Sequence, residues 1–556
     1  MIRVASDIGG TFTDLALERD GCIFSTKVPT TPTEPDKAVI EGLQHLLAES
    51  GTAAAEIGLF IHGTTLATNA VIERKGARTV FVGTAGLTDS LEIGLENRFD
   101  QYNLNIEKPR PLVPRPLRFG LQERIAVDGS VVEALADRGL EQLEAFVRDQ
   151  AAESVAVCLL HSYLNDSHER RVGEHLRRAF PGLAVSLSSE ISPIAGEYER
   201  GTTVSANAYV QPLMARYLER LQARIAQMGI TAPMLVMMSE GGLTSVETAC
   251  RFPVRLIESG PAGGALLAAS IGRRLGIDRL FSFDMGGTTA KICLIDDGVP
   301  EFETSFEVDR SYRFAKGSGL PLRIPVVDLV EIGAGGGSIA RVDSLGSVRI
   351  GPDSVGSEPG PACFGKGGIF PTVTDADLVI GKIDPARFAG GSLVLDRKAA
   401  AAAIAPGIGT PRGLDDVAAA AAIAEMVDEN MANAAHVHAT EKGKDIAGYT
   451  MVAFGGAAPL HALRVAEKLG IERIIIPPNA GVGSAIGFLV SPVSYTTRRT
   501  HYMRLANLDL ATVRRLLEEM HADAEQQVRS AVAHGELTEE WKTFMRYVGQ
   551  GHDIAI

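Results

Sequence analysis

The sequence predicts an α/β protein with duplicated domains and mixed sheets. Strand-like and helix-like segments alternate beyond residue 57, and the strand, helix and strand over 449–476 form a βαβ unit, which favours a parallel sheet. A strand, a glycine turn and a second strand open the chain, and the same arrangement recurs from Arg279 onward. Because a tight turn joins antiparallel strands, the sheets should be mixed.

The first half of the chain contains most of the individual elements that the patterns predict. A meander of strands covers residues 2–28, with its second and third strands at 14–18 and 22–27. Further predicted elements are helix 37–48, strand 57–63, helix 64–73, helix 140–152, strand 154–160, helix 212–228 and strand 234–238. A proline-rich patch at 109–116 interrupts the alternation, which indicates an insertion within the first domain.

The length of 556 residues exceeds what one core organises, so we expect several domains. We place an N-terminal domain at 1–182, which carries the first glycine loop, and a core domain at 200–490, which carries the second, with the boundary between 182 and 200. We predict that residues 491–556 are the start of a partial C-terminal α/β domain. We expect this domain to be truncated, because the chain stops in an alternating strand with no polar tail behind it.

Composition excludes several classes of function. A formal net charge of -14 argues against nucleic acid as a partner, since that requires a concentrated basic face. The five cysteines lack paired spacing, which favours reduced thiols. The first residues enter a strand pattern at once, and no apolar run reaches membrane-spanning length, so we expect a cytoplasmic protein without a membrane partner.

The first glycine loop has the chemistry of a phosphate site. In DIGGTFTD, Gly9 and Gly10 allow a tight turn whose N–H groups can meet phosphate oxygens, and Thr11 and Thr13 add hydroxyl donors. Asp7 can hold a hydrated Mg²⁺. A single copy of this pattern is more often a plain hairpin with a capping aspartate.

A second copy, DMGGTTAK, lies between equivalent predicted strands. Here Gly286, Gly287, Thr288 and Thr289 would contact phosphate, and Asp284 would hold the metal ion. Chance recurrence of the pattern in the same setting is improbable, and two facing loops can clamp one triphosphate. The pair therefore predicts ATP and Mg²⁺ as cofactors.

Two further glycine segments are candidates for nucleotide contact. Gly455 and Gly456 end a strand at the start of a helix, where N–H groups and the positive dipole end favour a nucleotide, although a plain strand-to-helix turn also explains them. Gly335 and Gly336 lie in the run 333–338, which lacks the last glycine of a dinucleotide fingerprint. We interpret that run as a backbone cradle near nucleotide or substrate.

Several polar residues are candidates for the reaction itself. Thr64 and Thr65 lie where a strand ends and a helix begins, so they would face the reacting phosphate or substrate, or else simply cap the helix. Arg98 and Glu258 are candidates for substrate contact and water positioning, with a surface charge or a helix cap as the alternative.

His436 and His438 stand two residues apart after the alanine-rich helix. This is not the i, i+4 spacing of a helical ligand pair, and the sequence offers no evident third ligand. We therefore predict no metal site there.

Eight motifs occur in the order found in one known family. They are DIGGTFTD, HGTTLATNAVIERKG, SGPAGG, DMGGTTAK, IGAGGGSIA, PGPACFGKGG, TVTDADLVIG and FGGAAPLHA. In these motifs the chain resembles the hydantoinase A/5-oxoprolinase family, and the resemblance spans nearly the whole sequence.

The resemblance implies an actin-like ATPase fold of the ribonuclease H-like type and an ATP-hydrolysing cyclic amidase that activates a hydantoin, 5-oxoproline or a lactam by phosphorylation. It also implies roles for Asp7 and Asp284 as Mg²⁺ anchors and a place for Gly455 and Gly456 near adenosine. A hydantoinase B-type subunit, in a hetero-oligomer, is the implied partner.

Two alternatives remain open. The same family includes ATP-using subunits of acetone and acetophenone carboxylases, in which a ketone is the substrate. A nucleotide-gated assembly protein of the actin-like kind is the alternative from another class.

Overall fold

The structure, a computed structural model, describes residues 1–31, 34–96, 98–312, 316–391, 393–551 and 553–556. The strands of the first half are β1 (Ile2–Ile8), β2 (Phe12–Arg19), β3 (Cys22–Pro29), β4 (Ile57–Thr64), β5 (Thr79–Thr84), β6 (Arg118–Leu121), β7 (Arg124–Ile125), β8 (Val131–Glu133), β9 (Ser154–Cys158), β10 (Ala184–Leu187), β11 (Met234–Met237) and β12 (Leu243–Ser245). Those of the second half are β13 (Arg279–Met285), β14 (Ala290–Asp296), β15 (Val299–Pro300), β16 (Phe302–Glu303), β17 (Phe306–Val308), β18 (Leu320–Leu322), β19 (Val326–Val327), β20 (Val330–Ile332), β21 (Ser338–Val342), β22 (Val348–Ser354), β23 (Thr450–Phe454), β24 (Arg473–Ile475), β25 (Phe544–Met545) and β26 (Ile554–Ala555).

The helices are α1 (Pro35–Ser50), α2 (Leu66–Ile72), α3 (Ser90–Ile93), α4 (Asp137–Asp149), α5 (Ser167–Ala179), α6 (Ser188–Ile191), α7 (Glu197–Gln227), α8 (Val246–Arg251), α9 (Ser259–Leu275), α10 (Val373–Val379), α11 (Arg397–Ile404), α12 (Thr410–Arg412), α13 (Asp416–Glu441), α14 (Ala458–Leu469), α15 (Gly483–Leu489) and α16 (Leu510–Ala531). Within the described residues, none of these helices is both long enough and apolar enough to cross a membrane.

The first large sheet has the strand order β12-β11-β4-β1-β2-β3. Strand β1 runs antiparallel to β2 and parallel to β4. On one face, apolar side chains of α1 and α7, such as Leu43 and Leu221, pack into the core of this sheet. The sheet therefore has the mixed character expected from the opening meander.

The second large sheet repeats this plan, with the order β15-β14-β13-β23-β24. Strand β13 is antiparallel to β14 and parallel to β23, as β1 is to its two neighbours. Strand β24 is parallel to β23, and α14 connects the two, which confirms the predicted βαβ unit. The predicted α/β class is likewise confirmed, with a visible internal duplication.

A smaller sheet, β10-β9-β5-β6, is formed from the segment that follows α2. All its strand pairs are parallel. Residues of α4 and α5, such as Leu143 and Leu176, fill the core on one face of it. The proline-rich patch precedes its edge strand β6.

Helices α9 and α15 lie between the two large sheets. Their side chains share one core with residues of both sheets, including Ile61 from β4 and Val452 from β23. The two helices touch through glycines, because a Cβ added to Gly487 would overlap the carbonyl oxygen of Gly263. Only glycine allows backbones to approach this closely.

Helix α7 begins at Glu197, although the periodicity predicts a start at residue 212. The additional turns are rich in Thr, Ser, Val and Asn, which have modest helix propensity. Two of these threonines bond back within the helix, Thr202 to the carbonyl of Tyr198 at 2.9 Å and Thr203 to that of Glu199 at 2.6 Å. Burial of this segment overrides its weak local preference.

The domain boundary expected between 182 and 200 stays a prediction. In the structure, β11 lies beyond that boundary, yet it pairs with β4 in the first large sheet. Residues 234–245 therefore complete a sheet that begins at residue 2. In the C-terminal segment, β25 and β26 form a short antiparallel pair, and His552 lies outside the described residues.

Candidate active site

The two glycine loops are the same turn at the atomic level. The N–H of Gly9 donates to the carbonyl of Phe12 at 3.0 Å, and the N–H of Gly286 donates to that of Thr289 at 3.1 Å. Each loop connects the central strand of a large sheet to its antiparallel neighbour. The duplication predicted from the sequence therefore extends to the hydrogen bonds of the turns.

The two loops lie next to each other in the folded chain. A Cβ added to Gly287 would lie 3.7 Å from the Oγ1 of Thr11, so the second loop is within van der Waals reach of the first. Glycine at position 287 leaves this space free. Two facing loops of N–H groups and hydroxyls are the arrangement expected of a triphosphate clamp.

The first loop is held in place by Thr30, which the sequence analysis missed. Thr30 donates its hydroxyl to the carbonyl of Gly9 at 2.9 Å and its N–H to that of Thr11 at 3.0 Å. The buried hydroxyl of Thr13 lies 3.0 Å from the same Thr30 hydroxyl. In this arrangement Thr13 supports the loop from within the structure.

Two carboxylates lie at the start of the loops. Asp7 and Asp284 are the corresponding residues of β1 and β13, and they pair in register with Asp14 and Lys291 respectively. Burial, together with the negative charges of Asp14 and Asp284, raises the pKa of Asp7 to about 7. Burial also raises the pKa of Asp284 to about 6, even though Lys291 opposes that shift. The negative charges of these buried carboxylates therefore repel one another, and a bound cation would reduce that repulsion.

The surroundings of Asp7 fit a hydrated Mg²⁺. The Oδ1 atom of Asp7 is buried without a hydrogen-bond partner in the described structure. Gly63 and Gly260 flank this carboxylate, and a Cβ on either would lie within 3.4 Å of one of its oxygens. An unpaired carboxylate oxygen in a space kept open by glycines suits a hard cation that retains its water ligands.

Gly455 and Gly456 lie at the second carboxylate. Gly455 has φ +92 and donates its N–H to the carbonyl of Ala480 at 2.8 Å. A Cβ at this position would collide with Oδ1 of Asp284. Helix α14 follows directly, so its N-terminal end points toward this side of the site.

Lys291 and Glu258 form an ion pair beside the loops, with 3.3 Å between Nζ and Oε2. Glu331 of β20 stands opposite Lys291 in register. Burial works against the charge on Lys291, but Glu258, Glu331 and Asp284 outweigh it and raise its pKa. Burial likewise raises the pKa of Glu258.

Sequence reasoning selected Glu258 but not Lys291. The available signal was the position of Lys291 in the second motif, where the first motif has Asp14. Glu258 itself has φ 65 and precedes the first turn of α9. Because Glu258 is the N-cap residue and has a left-handed backbone, its carboxylate and the glycine-rich first turn of α9 lie side by side.

Thr64 and Thr65 lie next to the first loop. Thr65 donates both its N–H, at 3.1 Å, and its hydroxyl, at 3.2 Å, to the carbonyl of Ile8. The hydroxyl of Thr64 accepts from the N–H of Leu66 at 3.2 Å. The Thr65 bonds therefore connect the start of α2 to the end of β1, whereas the Thr64 hydroxyl bonds the first residue of α2. Thr65 is the N-cap residue of α2, but its side chain makes no capping bond.

The neighbouring His62 is a structural residue. It is fully buried between the Ser6 hydroxyl, 2.8 Å from Nδ1, and the Tyr217 hydroxyl, 3.0 Å from Nε2. Burial lowers its pKa to about 3, so the ring stays neutral.

The glycine run at 333–338 packs on the second loop. Gly336 donates its N–H to the carbonyl of Gly286 at 3.0 Å, and Gly337 donates to that of Gly287 at 2.6 Å. A Cβ on Gly335 would lie 2.8 Å from the backbone of Gly287. The run is therefore a backbone cradle for the loop itself.

Arg98 lies apart from these residues. Its exposed guanidinium donates to the carbonyl of Asn103 and lines a cleft that also includes Lys108, Tyr198 and Glu307. Among the described residues, no hydrogen bond or ion pair joins Arg98 to either loop. The structure thus brings together the loops, Asp7, Asp284, Thr64, Thr65, Glu258 and the glycine segments, but not Arg98.

Comparison with known proteins agrees with this geometry. The hydantoinase/oxoprolinase family matches residues 200–497, and the hydantoinase/oxoprolinase N-terminal region matches residues 3–180. The caprolactamase subunit alpha of Pseudomonas jessenii is 34% identical over 100% of this chain and 80% of its own length. The acetophenone carboxylase gamma subunit of Aromatoleum aromaticum is 31% identical over 89% of this chain and 69% of its own length.

A solved structure of one of these relatives has the same fold as this chain. The crystal structure of the ATP-dependent caprolactamase from Pseudomonas jessenii superposes with a TM-score of 0.87 at 33% identity, covering 100% of this chain and 80% of that one. The similarity includes both large sheets and the elements between them. The chain belongs to the hydantoinase/oxoprolinase family.

Proposed function

We propose that this chain is the ATP-using subunit of a cyclic-amide hydrolase, which phosphorylates a hydantoin, 5-oxoproline or a lactam for ring opening. The observation that carries the proposal is the approach of the two equivalent loops, with Gly287 in reach of Thr11. ATP use by this family supports it, as does the name of the caprolactamase relative.

To transfer the phosphoryl group, the protein mainly has to align it with the amide oxygen and neutralise its negative charge. It does not have to form a covalent bond to it. An amide carbonyl is a poor reaction centre until its oxygen is phosphorylated, so the protein must place the terminal phosphoryl group in line with that oxygen. The N–H groups and hydroxyls of the loops, Gly9 to Thr11 and Gly286 to Thr289, would orient the phosphates.

Asp7 and Asp284 would hold Mg²⁺, which supplies positive charge against the phosphate oxygens when it is bound. Lys291 adds a fixed positive charge of the protein itself, and Glu258 keeps that ammonium group oriented. Burial also raises the pKa of Glu258, so this carboxyl group is a further candidate to exchange a proton with water or substrate.

We further propose that a B-type subunit completes the reaction in a hetero-oligomer. The named relatives are an alpha and a gamma subunit, which supports a multi-subunit enzyme. In this arrangement the present chain activates the amide, and the partner hydrolyses the activated ring.

A ketone carboxylase is the second candidate. The acetophenone carboxylase relative favours it, since that protein is 31% identical over 89% of this chain. In that case the same loops would activate a ketone enol or bicarbonate in place of an amide oxygen.

The test is ATP consumption by the chain together with its candidate B-type partner. One set of reactions contains hydantoins, 5-oxoproline and lactams, and the other contains acetone or acetophenone with bicarbonate. Faster ATP consumption with only the first set of substrates supports the amide hydrolase. Faster ATP consumption with only the second set supports the carboxylase. Absence of stimulation in both sets would overturn both and favour a nucleotide-gated assembly protein.

A further inference from the structure

A polar cluster lies where the last turn of α13 meets the segments that flank β16 and β19. His438 belongs to α13, Glu301 precedes β16 and Asp328 follows β19. One ring nitrogen of His438 and one carboxylate oxygen from each of Glu301 and Asp328 lie within 4.8 Å of one another. The N–H of Asp328 also donates to the carbonyl of Glu301 at 2.8 Å, which holds the two acidic segments together.

These side chains present unused polar atoms. His438 is only 5% exposed, and its Nε2 has no hydrogen-bond partner within the part of the chain that the structure describes. The same is true of Oε2 of Glu301 and Oδ2 of Asp328. Buried polar atoms are normally hydrogen-bonded, and of these three only Nε2 of His438 also lacks an ion-pair partner among the described residues, so this nitrogen requires an explanation.

Two lysines now face the cluster, and Lys444 is paired with Oε1 of Glu301. Lys442 lies with its Nζ 2.6 Å from Oδ2 of Asp328 and 4.0 Å from Oε2 of Glu301. The same ammonium group lies 2.7 Å from Glu303. It therefore has a second carboxylate to which it can remain paired.

The charges of the surroundings favour an additional cation. Lys442 and Lys444 face a larger number of carboxylates, namely Asp296, Glu301, Glu303 and Asp328. Four negative groups against two positive ones leave a net negative charge, which an added divalent ion would neutralise.

We propose that Glu301, Asp328 and His438 bind a divalent transition-metal ion of the Zn²⁺ class. One imidazole nitrogen and two carboxylate oxygens are ligands that Zn²⁺ accepts, and three protein ligands leave a position for water. In a tetrahedral site the ligand atoms are about 3.4 Å apart, so the three side chains must close inward from their present spacing. Lys442 would move from Asp328 toward Glu303.

This site is separate from the phosphate loops, but it is connected to them through the backbone. Asp328 lies just before β20, where Glu331 stands opposite Lys291. An ion at the cluster would thus fix α13 to the strand that contributes to the surroundings of Lys291. The sequence analysis found no third ligand near His438 because Glu301 and Asp328 are distant in the chain.

The experiment is calorimetric titration of the full chain with Zn²⁺, in excess Mg²⁺ so that hard-cation sites are filled. We expect saturable binding that His438→Gln weakens by more than about 10-fold, since even loss of an outer partner of a metal ligand costs that much. His436→Gln is the matched control, because His436 is exposed on the same helix, and it should bind as the unmodified chain does. Circular dichroism checks folding, and Asp328→Asn replaces the His438 variant if that variant does not fold.

The proposal is overturned if the unmodified chain shows no saturable Zn²⁺ binding, or if the ligand variant binds as tightly as the His436 control. A second variant tests the role of Lys442. Lys442→Met should raise Zn²⁺ affinity several-fold, because it removes the competing ammonium charge. Lys468→Met, which removes a lysine paired with Glu425 and Glu429, should leave the affinity unchanged. Equal affinities for the two lysine variants would contradict the competition between Lys442 and the metal ion.

Discussion

Asp14 and Lys291 occupy the same position in the two repeated hairpins, yet they carry opposite charges. Asp14 stands opposite Asp7 in register and is paired with Lys27, whereas Lys291 stands opposite Asp284. The two halves of the site are therefore electrostatically different. On the side of the first loop Lys27 is paired with Asp14, whereas on the side of the second loop Lys291 itself stands beside the loop aspartate and pairs with Glu258.

We expect Lys291→Met to lower kcat for ATP hydrolysis by about 100-fold, the usual cost of removing one group that stabilises developing charge. The variant also leaves Glu258 without its ion-pair partner. Steady-state kinetics with ATP measures the effect, and Lys468→Met on α14, where the lysine pairs with Glu425 and Glu429, is the control. A kcat within threefold of the unmodified chain would remove Lys291 from the mechanism.

Replacement of Asp7 by Ala should abolish Mg²⁺-dependent ATP turnover and leave the fold intact. Because burial and neighbouring carboxylates raise the pKa of Asp7, the charged form is disfavoured without a cation, and its removal should not lower Tm. Activity and thermal melting in the absence of Mg²⁺ are the two measurements. The same result is expected for Asp284→Ala, and retained turnover in either variant would contradict the assignment of that carboxylate.

The ion pairs of His461 predict that the folded protein loses stability at alkaline pH. Its Nδ1 lies 2.7 Å from Asp428 and its Nε2 lies 3.0 Å from Asp377, and these contacts outweigh burial and raise its pKa from 6.5 to about 9. Since the folded-state pKa is the higher one, the stabilisation is complete below pH 6.5 and is lost as pH rises through about 9.

Urea unfolding at a series of pH values, for the unmodified chain and for His461→Gln, measures this contribution. The difference in free energy of unfolding between the two proteins should shrink as pH rises. His436→Gln is the control, since that ring is exposed. A difference that is independent of pH would show that the ring is not charged in the folded protein.

The contact between α9 and α15 predicts a specific steric effect. Gly487→Ala places a Cβ on the carbonyl oxygen of Gly263 and should lower the free energy of unfolding by about 1–3 kcal/mol. Gly481→Ala is the control, because nothing lies within 4 Å of the added atom there. Chemical denaturation of both variants measures the effect, and equal stabilities would contradict the close approach.

The parts of the site that could be predicted from sequence are those formed by consecutive residues. The hairpin around Gly9 and its copy around Gly286 were predicted because a tight turn depends on local residue types. The support of the first loop by Thr30 was not, since that contact joins segments that share no pattern. The start of α7 was also missed, because burial and not propensity makes Thr202 helical.

The same limit applies to the charges. The place of Lys291 in its motif can be seen in the sequence. Its pairing with Glu258 cannot, because it depends on the left-handed backbone conformation of Glu258, which no sequence pattern predicts. The roles proposed for Arg98, for Thr64 at the end of β4 and for Thr65 after it stay predictions. Their side chains are of types that suit contact with a substrate.

The crossing of α9 and α15 also interlocks the two repeats. Helix α15 comes late in the chain yet packs on β1, β2 and β4 of the first sheet, whereas α9 comes earlier and packs on β13 and β14 of the second. Helix α9 packs on strands of both large sheets, and α15 brings the end of the second repeat onto the first sheet. Neither repeat can complete its own core alone, so the two should fold and unfold as one cooperative unit.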